Sequence, residues 1–114
     1  MLFMSKRTPK LYIDDIKGSI NKIEKYTKEI SKKVFESDEK TIDAVVRNLE
    51  IIGEAASQLS KSFKDKYKGI PWREVIGMRN KVIHEYFGID WDVLWYTIQD
   101  DIPELKKQIK DIRV

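Results

Sequence analysis

Apolar residues in this chain recur every three or four positions, and that period dictates helices. Each residue turns an α-helix by about 100°, so side chains three, four or seven apart share a face. Ile13, Ile16, Ile20, Ile23, Ile30 and Val34 form one stripe. It predicts a long first helix over roughly residues 9–35, with Gly18 inside it at modest cost. Ser37 and Asp38 offer a stop and a new N-cap. Ile42, Val45, Val46, Leu49, Ile52, Ala56, Leu59 and Phe63 then predict a second helix over roughly residues 39–64. On it, the small residues Gly53, Ala55 and Ala56 would let another helix approach closely.

The second half continues the pattern. Residues 67–70 read as a loop, and Pro71 suits the first turn of a third helix because its missing N–H was unpaired there anyway. This helix is expected to reach about His84 or Tyr86, with Gly88 as the breaker. Asp90 caps a fourth helix whose stripe is Trp91, Leu94, Trp95, Ile98, Ile102, Leu105, Ile109 and Ile112. Pro103 interrupts it, removing one hydrogen bond and kinking the axis. Asp101 and Glu104 have capping-box spacing, so a kinked helix or two helices meeting near Ile102 are both open. The expected fold is all-α: an up-and-down bundle of four to five helices with short connections, a single domain over residues 1–114.

Composition narrows the chemistry. The chain has no cysteine, which excludes disulfides, zinc–thiolate sites and thiol catalysis, and suits a cytoplasmic location. Its first residues lack a signal-peptide hydrophobic region, and no apolar run approaches the roughly 20 residues of a membrane span. The net charge of +3 permits a nucleic-acid partner without requiring one. Lysine clusters at Lys32–Lys33, at residues 61–68 and at Lys106–Lys107 read as solvated helix surface. Trp72, Tyr86, Phe87, Trp91, Trp95 and Tyr96 crowd into one stretch that a small bundle cannot easily bury, which motivates a homodimer.

His84 is the single histidine. With no second histidine and no cysteine, a metal centre would have to be built from carboxylates. Asp14 and Asp15 leave that open for magnesium, although a solvated helix face is the simpler reading. The neighbours of His84 are more informative: Arg79, Asn80, His84 and Tyr86 lie within eight residues. Arginine grips phosphate oxygens with two parallel donors, and histidine moves protons near neutral pH. On an ideal helix Arg79 and His84 would differ by roughly 140°, whereas Asn80 and His84 would share a face. Metal-free RNA cleavage must deprotonate a ribose 2′-hydroxyl, protonate the leaving oxygen and stabilise the phosphorane. One histidine per chain makes acid and base hard to supply together. A two-fold dimer would bring two His84 and two Arg79 into one cleft.

Arg79, His84 and Tyr86 fit R-x(4)-H-x-Y, which resembles the signature of HEPN-domain proteins of the HepT branch. Around the motif, Arg47-Asn48-Leu49-Glu50-Ile51-Ile52-Gly53-Glu54-Ala55 resembles that family's second helix. Ile70-Pro71-Trp72-Arg73 and Gly77-Met78-Arg79-Asn80 resemble its approach to the motif. The acidic start at residues 90–95 and Pro103 also fit, so the resemblance spans about residues 11–109. It implies a helical bundle, a two-fold homodimer, and a metal-independent endoribonuclease toxin needing no cofactor. The implied partner is MNT, a small nucleotidyltransferase that silences the toxin by adenylating the motif tyrosine. The implied catalytic pair is Arg79 and His84, with Asn80 supporting and Tyr86 the modified residue. Arg47 and Glu54 match family positions as well, and either support the cleft or form an ordinary surface pair. Two other readings stay open: a non-catalytic nucleotide- or substrate-binding partner of a small nucleotidyltransferase, and a plain structural dimer. An intact motif favours the enzyme.

Overall fold

Four isoleucines at helical spacing anchor the protein. A computed structural model describes residues 8–84 and 88–114. Helix α1 (Pro9–Thr27) buries Ile13, Ile16, Ile20 and Ile23 completely. Each contributes about 1.5–3 kcal/mol relative to exposure. Against that, the roughly 1 kcal/mol helix penalty of Gly18 is minor. The stripe faces α3 (Glu39–Gln58), whose Ile42, Val45, Leu49, Ile52 and Ala56 join it in the core. Asp38 caps α3 by accepting the Thr41 hydroxyl (2.7 Å) and backbone N–H (3.1 Å). Those two donors hold its carboxyl below the usual aspartate range.

Both long helices end earlier than the stripes predict. The first stops at Thr27, and Glu29 takes a left-handed conformation (φ 63°) to turn the chain. Ser31 then caps the short α2 (Lys32–Glu36) by accepting the Val34 N–H at 3.1 Å. The second stops at Gln58, and Ser60 caps α4 (Lys61–Lys66) by accepting the Phe63 N–H at 3.1 Å. In each case the apolar period runs across a break. The following piece packs its aromatic, Phe35 or Phe63, into the same core. A serine cap and a cap-compatible turn override the continuous stripe.

The predicted third helix is two short helices and a strand. Helix α5 (Trp72–Ile76) gives way at Gly77 to α6 (Met78–Val82). Strand β1 (Ile83–His84) follows, paired antiparallel with β2 (Gly88–Ile89) in the register Ile83↔Ile89 and His84↔Gly88. Gly88 adopts φ 76°, which glycine takes without strain. The Asp90 N–H extends this ladder to the Val82 carbonyl at 2.8 Å. His84 therefore lies on an extended segment, and the i, i+4 face expected for Asn80 and His84 does not exist.

Asp90 caps α7 (Trp91–Tyr96), as expected, by accepting the Val93 N–H at 3.1 Å. A π-helical turn (Thr97–Asp101) joins it to α8 (Ile102–Ile109). The wider turn accommodates Pro103, which has no N–H to give and whose ring would crowd the carbonyl four residues back. Asp101 sits in helical geometry and makes no side-chain cap, so the capping-box reading is replaced by a continuous helix with a π segment. Lys106 ties α8 to Glu24 of α1 at 2.7 Å, and Lys81 ties α6 to Asp101 at 3.1 Å. Among the described residues no helix is long and apolar enough to cross a membrane.

The aromatic stretch divides. Trp72 is buried and donates its indole N–H to the Lys64 and Tyr67 carbonyls, both at 3.2 Å. Trp91 and Trp95 are half-buried against Phe35, with ring centroids 6.5 and 5.5 Å away. Tyr96 remains 56% exposed. Tyr86 and Phe87 lie outside the described residues.

Candidate active site

Close packing of α3 against α5 positions the motif. A Cβ at Gly53 would lie 2.7 Å from the Ile76 carbonyl oxygen, so only glycine permits this approach. Gly77 then redirects the chain, its N–H bonding the Arg73 carbonyl at 3.1 Å, and α6 begins with Met78 buried and Arg79 beside it. The two walls enclose a cleft of about 270 Å³ lined by Glu50, Gly53, Glu54, Ser57, Ile76, Arg79 and Asn80. The residues on its α3 wall are spaced three, one and three apart, a single helical face.

Arg79 dominates the cleft chemically. Its Nη1 lies 3.4 Å from Asn80 Oδ1, a long hydrogen bond that orients the guanidinium. Its Nε is buried and has no hydrogen-bond partner among the described residues. A buried donor left unpaired costs about 1–3 kcal/mol, which an anionic ligand accepting that N–H would recover. Glu50 and Glu54 line the facing wall, yet neither comes within ion-pair distance of Arg79 among the described residues. Their charge opposes anion entry, leaving Arg79 and the Asn80 amide as the groups that could hold a phosphate.

His84 is not in that lining. It sits beyond the end of α6 on β1 with its side chain 49% exposed, and its Nε2 faces Asp90 Oδ2 at 3.7 Å. At that separation the carboxylate is a charged neighbour of the ring, beyond normal hydrogen-bond distance. The structure thus gives Arg79 and Asn80 one cleft and His84 a separate, adjoining station. The predicted Tyr86 lies outside the described residues.

The two remaining candidates part company. Glu54 lines the Arg79 cleft, whereas Arg47, seven residues earlier, is exposed and absent from the lining. Among the described residues no ion pair joins them. Glu50, Ser57 and Ile76 were not singled out by sequence. The first two follow from Gly53 and Glu54 once their shared helical face is drawn, but Ile76 needed the α3–α5 packing. No three His, Cys, Asp or Glu side chains gather in metal-binding geometry among the described residues.

The family described as Ribonuclease HepT-like matches residues 16–112. The chain belongs to the HepT-like ribonuclease family. This HepT-like chain is 48% identical to "Probable ribonuclease HepT" of Thermococcus cleftensis, over 95% of its own length and 98% of the relative's. It is 41% identical to "Putative RNase MJ1380" of Methanocaldococcus jannaschii, over 94% and 98%. It is 44% identical to "Putative RNase TTE0752" of Caldanaerobacter subterraneus, over 93% and 95%. No solved structure matches the chain significantly.

Proposed function

We propose that this HepT-like chain is a metal-independent endoribonuclease toxin working as a homodimer, with the RNA phosphate bound in a composite cleft. The observation that carries the reading is Arg79 beside Asn80 in one cleft, its buried Nε without a hydrogen-bond partner among the described residues, a set of donors for phosphate oxygens. In the reaction the ribose 2′-oxygen attacks the neighbouring phosphorus and its proton passes to one His84. Arg79 holds the charge that develops on the non-bridging oxygen. The 5′-oxygen leaves with a proton from the second His84, giving a 2′,3′-cyclic phosphate and a 5′-hydroxyl. Two copies of His84 supply base and acid, which the single histidine of one chain cannot be at the same moment.

The toxin's partner in this reading is an MNT-type nucleotidyltransferase that adenylates Tyr86. The added phosphate would occupy Arg79, and the base would block RNA.

The test is purified protein with RNA in excess EDTA, wild type beside His84→Ala. Cleavage should persist in EDTA with cyclic-phosphate ends, and His84→Ala should lose roughly 100- to 10,000-fold. Cleavage that EDTA stops and magnesium restores would refute the metal-free mechanism. A His84→Ala chain as active as wild type would refute the role of His84.

A further inference from the structure

Asp90 is held at two points, one of them beyond the cap. Its N–H is tied to the Val82 carbonyl at 2.8 Å, which closes the β1–β2 turn, and its Oδ1 accepts the Val93 N–H at 3.1 Å, which starts α7. Backbone and one carboxylate oxygen are therefore both fixed. The remaining oxygen, Oδ2, faces His84 Nε2 at 3.7 Å. His84 itself is held at the other side of the same two-residue ladder, opposite Gly88.

We infer that Asp90 is a positioning residue: it fixes the ring orientation and tautomer of His84 through its free carboxylate oxygen. The inference rests on His84 being the group that transfers the proton. An acceptor-only carboxylate keeps hydrogen on Nε2, so Nδ1 faces the RNA as the proton-exchanging atom. The imidazolium formed when Nδ1 takes a proton is then balanced by the adjacent negative charge. At 3.7 Å the pair is long for a hydrogen bond and tightens when substrate orders the site, as is common for catalytic contacts in unliganded enzymes. Asp90 thus serves two purposes with two oxygens, capping α7 with one and orienting the histidine with the other.

The two purposes separate by substitution. Asp90→Asn keeps a cap acceptor for the Val93 N–H, and asparagine caps helices as well as aspartate does. It turns an amide N–H toward His84 Nε2, which must then accept, and the ring hydrogen moves to Nδ1. Asp90→Ser keeps a cap and presents nothing to His84. We expect both variants to retain wild-type helicity and KM. The kcat of Asp90→Asn should fall roughly 100- to 10,000-fold, as when a triad carboxylate becomes an amide. The fall for Asp90→Ser should be roughly 10- to 100-fold, as when a supporting partner of a functional histidine is lost. Because the chain has one histidine, ¹⁵N imidazole shifts read the tautomer without assignment ambiguity. They should report hydrogen on Nε2 in wild type and on Nδ1 in Asp90→Asn. Unchanged kcat in Asp90→Asn, or a fall in kcat with an unchanged tautomer, overturns the inference. An active His84→Ala overturns the catalytic reading beneath it. An inactive His84→Ala beside a fully active Asp90→Asn overturns this inference alone.

Discussion

Arg79 and Tyr86 illustrate how differently single residues of one motif are constrained. Arg79 is anchored: it sits beside buried Met78 on α6, its Nη1 bonds Asn80, and its Nε is sealed from solvent. A lysine there could not reproduce the forked donor geometry, so Arg79→Lys should behave nearly as Arg79→Ala in a cleavage assay, with melting temperature near wild type. Substantial activity in Arg79→Lys would show that point charge, not bidentate grip, is what the cleft supplies. Tyr86 is neither acid nor base in the proposed chemistry. Tyr86→Phe should keep most nuclease activity yet stay unmodified, by intact mass, after co-expression with a nucleotidyltransferase partner. A fully neutralised but unmodified wild-type chain would instead indicate steric masking.

Two glycines on the long helices test how elements carry the site. Gly53 is where α3 meets the Ile76 carbonyl, so Gly53→Ala must push α5 and α6 away and take Arg79 with them. We expect a loss of about 1–3 kcal/mol, as for overpacked cores, together with impaired cleavage. Gly18, in the middle of α1, has nothing within 4 Å of an added Cβ. There Gly18→Ala should stabilise by about 0.5–1 kcal/mol and leave cleavage unchanged. Thermal melts of the two variants, run with the RNA assay, check both signs. Equal stability of Gly53→Ala and wild type would mean the α3–α5 approach is softer than its geometry implies.

For the whole molecule, the question is how many chains make one centre. If both His84 residues of a dimer serve a single cleft, mixing wild-type and His84→Ala chains to exchange should lower activity as the square of the wild-type fraction. Clefts that act independently would give a linear decline. Sedimentation at micromolar concentration should show the dimer directly. Of the predicted aromatic stretch, Tyr96 and the half-buried Trp91 and Trp95 are what the described residues leave for an interface, since Trp72 is absorbed into the core and anchored by two carbonyls.

The helical class, the core stripes, the Asp38 and Asp90 caps and the disturbance at Pro103 were legible from spacing alone. Each depends on neighbours within a few residues, where the period of the helix and the reach of a side chain are fixed. The residue types at the candidate site were legible for the same reason, as was the value of small residues at Gly53. What spacing could not reveal is where a continuous stripe breaks. Residues 28–31 and 59–60 keep apolar side chains in register across their turns, so the period continues while the backbone does not. The largest difference falls at His84. Propensity favours one helix from Pro71 onward, but the β1–β2 ladder and the Asp90 N–H take over the backbone bonds of residues 82–84. That exchange needs partners four, six and eight residues away in a specific fold, and only the tertiary structure could supply them. It also decided that the second oxygen of a helix cap would face the single histidine.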